Sequence, residues 1–228
     1  MEKRRTADKV VETEGNREDG RKTIVKSSRI GILGGTFDPV HYGHINLALD
    51  ARDEMDLDKV ILVPARLQPF KQNRKTASGY DRLTMINMAI DGTDGLESSS
   101  CELDAEGVSY TYLTVRAMRR RFGEECRLYF ITGTDSFLKI ETWKNAGELL
   151  RSCGYLVGTR PGYRQKELED CISRIRHDYN TEVRNIHNSQ YDISSTEVRQ
   201  RLESGRPCGD LIPEKVERYI RENGLYKK

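Results

Sequence analysis

From Arg29 onward, short apolar runs alternate with amphipathic stretches. The runs are Ile30-Gly31-Ile32-Leu33, Val60-Ile61-Leu62-Val63, Leu128-Tyr129-Phe130-Ile131 and Tyr155-Leu156-Val157-Gly158. Continuous apolar runs of this length fit strands covered on both faces, as in a parallel sheet. Between them the spacing of apolar residues predicts helices over 43–55, 80–91, 110–122 and 164–178. Strand alternating with helix predicts an α/β fold with a doubly wound parallel sheet. Two short helices, over 194–203 and 213–223, make a small C-terminal helical part. Pro213 suits a first helical turn, and Gly224 suits the position just past a helix end.

Residues 1–28 break this rhythm. They are dense in Lys, Arg, Glu and Asp and carry almost no periodic apolar content. Such a segment cannot bury enough surface to offset its ordering entropy, so a disordered charged leader is expected before a domain spanning 29–228. The whole chain has 228 residues, 36% hydrophobic and 32% charged, ample for one core under a solvated surface. No apolar run approaches the roughly 20 residues that span a bilayer. No apolar stretch follows the basic start as a secretory signal requires, so a cytoplasmic location is expected. The five cysteines are scattered without C-x-x-C pairs and read as reduced structural thiols. A net charge of +2 does not argue for a nucleic-acid partner, and the run from Arg116 to Arg121 reads as a solvated helix face.

Candidate chemistry begins directly after the first apolar run, with Gly34-Gly35-Thr36-Phe37-Asp38-Pro39-Val40-His41-Tyr42-Gly43-His44. A strand, a glycine loop and a helix start place backbone N–H groups and a positive helix end at the carboxyl edge of the sheet, which makes an anion site. Gly34 and Gly35 let the backbone approach a phosphate, Thr36 adds a hydroxyl donor, and His41 and His44 can point two imidazoles at the same phosphate. The loop is neither G-x-G-x-x-G nor a Walker A sequence. A tight turn with two helix-start histidines, or an H-x-x-H metal pair, are the other readings. Near the C-terminus, Ile193-Ser194-Ser195-Thr196-Glu197-Val198-Arg199 reads as a second helix N-terminus, with hydroxyls and a guanidinium one turn along. That constellation suits the β and γ phosphates of ATP; it is also an ordinary capped helix start.

The eleven-residue string resembles the H-x-G-H signature of the nucleotidyltransferase superfamily, in its bacterial nicotinate-mononucleotide adenylyltransferase form. Ile193 to Arg199 is similar to the I-S-S-T-x-x-R of that family. The resemblance covers about residues 29 to 226 and implies a Rossmann-like nucleotidyltransferase fold. It implies an ATP site made of Gly34, Gly35, Thr36, Phe37, His41, His44, Gly133, Asp135, Arg160, Ile193, Ser194, Ser195, Thr196 and Arg199. Here Gly133-Thr134-Asp135 resembles the family's G-A-D or G-T-D loop at the adenosine, and Arg160-Pro161-Gly162 its R-P-G. For the mononucleotide it implies Lys71, Tyr110, Thr111 and Trp143, the only tryptophan, with the ring of Trp143 stacking on the pyridine. Core packing is the other reading of Trp143, and helix capping that of Ser109 to Thr111. Asp81-Arg82 resembles the start of the family's D-R-x-x-M run, with a plain surface charge as the other reading of Arg82. Two departures stand out: Phe70 occupies a position where the family commonly has His, and Ala105 one where it often has Arg.

The reaction implied is adenylyl transfer from ATP to nicotinate mononucleotide, giving nicotinate adenine dinucleotide and pyrophosphate. His41, His44, Lys71 and Arg199 would carry it, since positioning and charge neutralisation are the protein's main tasks in such a transfer. Magnesium is expected as the cofactor, bound through the substrate phosphates, with no metal site built from protein groups. The expected partners are ATP and nicotinate mononucleotide, without nucleic acid or membrane; homo-oligomerisation is open. Rival readings are transfer to nicotinamide mononucleotide or phosphopantetheine, and a non-catalytic nucleotide-binding regulator.

Overall fold

The computed structural model describes residues 27–67, 76–159, 165–187 and 193–227. In chain order the elements are β1 (Arg29–Gly35), α1 (Tyr42–Glu54), β2 (Lys59–Pro64), α2 (Gly79–Ile90), β3 (Leu96–Ser98), α3 (Thr111–Phe122) and β4 (Arg127–Gly133). There follow α4 (Thr134–Phe137), a 3-10 turn (Ile140–Thr142), α5 (Ala146–Ser152), β5 (Gly154–Gly158), α6 (Gln165–Tyr179), β6 (Val183–Ile186), α7 (Ser195–Glu203) and α8 (Glu214–Glu222). The strands form one sheet in the order β3-β2-β1-β4-β5-β6, and every neighbouring pair is parallel. This is the doubly wound arrangement that the alternation predicts.

Successive strand residues point to opposite faces, and each face has its own core. Leu33, Val60, Leu62, Tyr129, Ile131 and Leu156 pack on one side with residues of α1, α2, α7 and α8. Ile32, Ile61, Val63, Phe130, Tyr155 and Val157 pack on the other with residues of α3, α5 and α6. A strand covered on both faces has no position where a polar side chain is cheap, so the central strands read as unbroken apolar runs. Arg116, Arg120 and Arg121 of the basic run on α3 are exposed, as a solvated helix face requires. Arg116 pairs with Glu148 at 2.5 Å, and Arg119 donates to the carbonyls of Cys126 and Ser152.

The edges depart from the sequence expectation. β3 and β6 were not predicted, and nor were α4, the 3-10 turn and α5. β3 is Leu-Glu-Ser with one buried residue, and β6 is Val-Arg-Asn-Ile with two exposed polar residues in the middle. Edge strands are half-covered, so neither carries an apolar run. Pro213 caps α8 from one residue outside it. No helix among the described residues is long and apolar enough to cross a membrane. The expected leader, apart from Ser27 and Ser28, lies outside the described residues, as do Phe70, Lys71 and Arg160.

Candidate active site

The strand order reverses between β1 and β4, and the carboxyl ends of strands at such a switch point are where doubly wound folds bind ligands. Gly34 and Gly35 end β1 on one side of it, and Gly133 ends β4 on the other. From Gly35 the chain turns through Thr36 to Val40 into His41, the residue that precedes α1. Phe37 has φ +51° and is fully buried. A bulky residue in the left-handed region costs on the order of 1 kcal/mol or more and persists only where the surroundings impose it.

Here the imposing contacts come from behind the loop. Arg82 on α2 donates from Nη1 to the Thr36 carbonyl at 2.7 Å and from Nε to the Ala77 carbonyl at 3.2 Å. Arg199 on α7 donates to the Asp38 carbonyl, and Ser195 Oγ donates to the Pro39 carbonyl at 3.0 Å. The Asp38 side chain accepts at Oδ1 from Ala77 N–H (3.0 Å) and from the Tyr226 hydroxyl (2.7 Å). Its Oδ2 lies 3.6 Å from Arg199 Nη1. Asp38 is 3%, Arg82 2% and Arg199 8% exposed. Two guanidiniums and the Asp38 carboxylate thus lie together beneath the loop, with Glu102 near enough to attract Arg82 as well. Burial pulls the Arg82 pKa below its usual value, while Asp38 draws it back.

The two histidines adjoin one another at the start of α1. Their ring centroids are 3.7 Å apart, and Phe37 meets the His44 ring edge-on at 4.9 Å. The His41 backbone N–H donates to His44 Nδ1 at 3.3 Å. An accepting Nδ1 places the proton of the neutral ring on Nε2, so His44 carries a donor at its far end. Gly43 explains the fit: a Cβ there would lie 3.1 Å from His41 Nδ1 and Cε1. Gly34 and Gly35 have packing reasons of the same kind, because added Cβ atoms would lie 3.1 Å from Phe130 Cζ and 3.0 Å from Phe37 Cζ.

The start of α7 lies against the same loop through Ser195 and Arg199. Ser194 Oγ accepts from Glu197 N–H at 3.2 Å, the capping arrangement, and Thr196 Oγ1 accepts from Arg199 Nη2 at 3.0 Å. Ile193 is buried in the α1 side of the core. The motif is a capped helix start, and through Ser195 and Arg199 it is bonded to the 36–40 loop. Two helix N-termini converge there, each bringing a positive dipole end.

The remaining predicted residues lie along the carboxyl edge. Thr134 Oγ1 donates to the Gly158 carbonyl at 3.1 Å, and Asp135 is exposed in the first turn of α4. Trp143 follows the 3-10 turn, half-buried, with its ring perpendicular to Phe130 at 6.1 Å. Phe130 also faces Gly34, so one aromatic side chain links the loop to Trp143. Tyr110 precedes α3 without a side-chain cap, and Thr111 opens the helix. Ser109 pairs instead with the end of β2: its Oγ accepts from Arg66 N–H at 2.9 Å, and its N–H donates to the Leu67 carbonyl at 3.0 Å. Arg66 also donates to the Ala105 carbonyl, which brings a guanidinium to the loop where residue 105 itself has none.

The sequence reading missed Tyr226 altogether, and its surface-charge reading of Arg82 is overturned by burial. Arg82 had a faint signal in its Asp-Arg context; Tyr226 had only its place just after Gly224. A depression lined by Arg176, Asn180 and Val183 opens at the amino end of β6, and none of the predicted site residues among the described residues lines it.

The chain matches the model of the cytidylyltransferase-like family over residues 32–201. It is 44% identical over 200 residues to a protein of Thermoanaerobacter sp. (strain X514) named probable nicotinate-nucleotide adenylyltransferase, covering 88% of this chain and 95% of that one. A Moorella thermoacetica protein of the same name is 41% identical over 204 residues, covering 90% and 94%. Among solved structures, Plasmodium falciparum nicotinic acid mononucleotide adenylyltransferase complexed with NaAD superposes with a TM-score of 0.69. The alignment has 19% identity and covers 87% of this chain and 97% of that one, a likeness of fold. With its doubly wound sheet, H-x-G-H loop and these relatives, the chain belongs to the cytidylyltransferase-like family, among the nicotinate-nucleotide adenylyltransferases.

Proposed function

We propose that the protein transfers the adenylyl group of ATP to nicotinate mononucleotide, releasing pyrophosphate. The observation that carries this reading is one loop with two converging helix N-termini and two buried guanidiniums beneath, an arrangement that suits an anion. The names of the relatives support the acceptor.

A phosphate oxygen of the mononucleotide attacks the α-phosphorus of ATP, a new P–O bond forms, and the bond to the α,β-bridging oxygen breaks as pyrophosphate leaves. An ionised phosphate is already a nucleophile, so the protein's task is alignment and charge neutralisation. His44 Nε2–H and the loop amides supply donors to phosphoryl oxygens, with His41 packed against the His44 ring. The α7 N-terminus and Arg199 add positive potential for the β and γ phosphates. Lys71 and Arg160 complete the cation set, and Trp143 and the 109–111 loop hold the pyridine ring.

Magnesium would come to the site with ATP. The donors at the loop suit phosphate oxygens, and Asp38, its carboxylate, is already held by Ala77, Tyr226 and Arg199. The loop's own carboxylate would thus be left to its protein partners, and the ion would be held through the substrate phosphates, where it would offset their charge.

Pyrophosphate release measured in parallel with nicotinate mononucleotide, nicotinamide mononucleotide and phosphopantetheine tests the proposal. The acid mononucleotide should give kcat/KM higher than its amide by about 10², because donors facing a carboxylate cannot satisfy a carboxamide NH₂. Preference for phosphopantetheine, or no turnover with any acceptor, would overturn it.

A further inference from the structure

Helix α8 ends in a turn that carries the chain back to the phosphate loop. Gly224 has φ +62°, Leu225 N–H donates to the Ile220 carbonyl at 3.0 Å, and Gly224 N–H to the Arg221 carbonyl at 3.3 Å. These are the two bonds of a glycine-terminated helix end, which reverses the chain direction. Tyr226 follows, packs partly against the α1 side of the core, and puts its hydroxyl 2.7 Å from Asp38 Oδ1. A side chain 188 positions downstream thereby enters the polar cluster beneath the loop.

The position of that hydroxyl matters because Asp38 is the hub of the cluster. One oxygen takes Ala77 N–H as well as Tyr226, the other faces Arg199, and Arg199 in turn grips the Asp38 carbonyl and Thr196. Rotation of the carboxylate would loosen its contacts with Ala77, Tyr226 and Arg199 at once. Burial first, and the neighbouring Asp38 second, push the Tyr226 phenol far above its usual pKa, so it is a donor at every working pH.

We propose that Tyr226 is a positioning residue for the transfer reaction: its hydrogen bond fixes the Asp38 carboxylate and, through it, the loop that receives the ATP phosphates. This rests on the function proposed above, and it makes the last turn of the chain part of the working site.

The test compares Tyr226→Phe with Tyr219→Phe. Tyr219, on α8, donates to Asp81 Oδ1 at 2.8 Å, an equivalent bond that does not touch the loop. Tyr226→Phe should lower kcat/KM for ATP about tenfold and raise the Kd for ATP about fivefold, with KM for nicotinate mononucleotide within about twofold of wild type. Tyr219→Phe should leave all three within about twofold. Equal losses in both variants, or unchanged ATP parameters in Tyr226→Phe, would overturn the proposal. The binding measurement needs no turnover. A wild type that binds ATP but forms no dinucleotide sinks the functional reading, and the Kd comparison still decides the role of Tyr226.

Discussion

His44 shows how little a single side chain needs in order to become useful. Its Nδ1 is occupied by the His41 backbone N–H, so the ring is oriented and its proton assigned before any substrate arrives. A donor aimed at developing charge contributes to the transition state more than to binding, and His44→Ala should lower kcat by about 10² with a modest change in KM. A rise in KM with kcat intact would make it a binding group only. Gly43→Ala tests the neighbouring contact. A methyl 3.1 Å from the His41 ring must displace it, while the surrounding core is untouched. Steady-state kinetics should show a fall in kcat of about tenfold, with a melting temperature shifted by less than about 4 °C. The reverse outcome, a large melting shift with intact kcat, would place the glycine's importance in folding. At this scale the histidines and glycines were legible in the sequence because they sit in one contiguous string. Tyr226 and Arg82 were not, because they reach the loop only through the tertiary fold.

Among the elements, α2 does more than cover the sheet. Arg82 spans from its first turns to the Thr36 carbonyl, and Asp38 and Glu102 attract it electrostatically. Replacing it with alanine takes a donor from the part-buried Thr36 carbonyl and removes a buried cation from the cluster, at a cost of about 2–4 kcal/mol. Urea unfolding of Arg82→Ala should register that loss, together with a drop in activity larger than stability alone explains. A change under about 0.5 kcal/mol would restore the surface-charge reading. In the sheet, Leu62→Ala should cost about 2–5 kcal/mol, since Leu62 is wholly buried on a central strand and the site cannot collapse around the void. The central strands were legible because both of their faces are covered. β3 and β6 were not, because an edge strand such as Val-Arg-Asn-Ile shares its texture with a loop. α5 has two fully buried residues, too few to set a helical period.

On the scale of the whole molecule, a scaffold with separate cores on its two faces brings four distant segments to one edge. These are the 34–44 loop, Arg82, the 193–199 turn and Tyr226. The described domain begins by residue 28, whose carbonyl accepts from Arg127 N–H at 2.7 Å. Residues 1–26 are dense in charge and poor in apolar side chains, so a chain starting at Ser27 should keep the melting temperature and kcat/KM of the full chain, while losses in either would show that the charged leader contributes. The central claim, that this edge moves an adenylyl group between two phosphates, is tested most directly by following the label in α-³²P ATP with nicotinate mononucleotide as acceptor. The account predicts all transferred label in the dinucleotide, one unlabelled pyrophosphate released for each dinucleotide formed, and both signals falling together in His44→Ala. Label retained in ADP or AMP without dinucleotide, or release of inorganic phosphate in place of pyrophosphate, would contradict it.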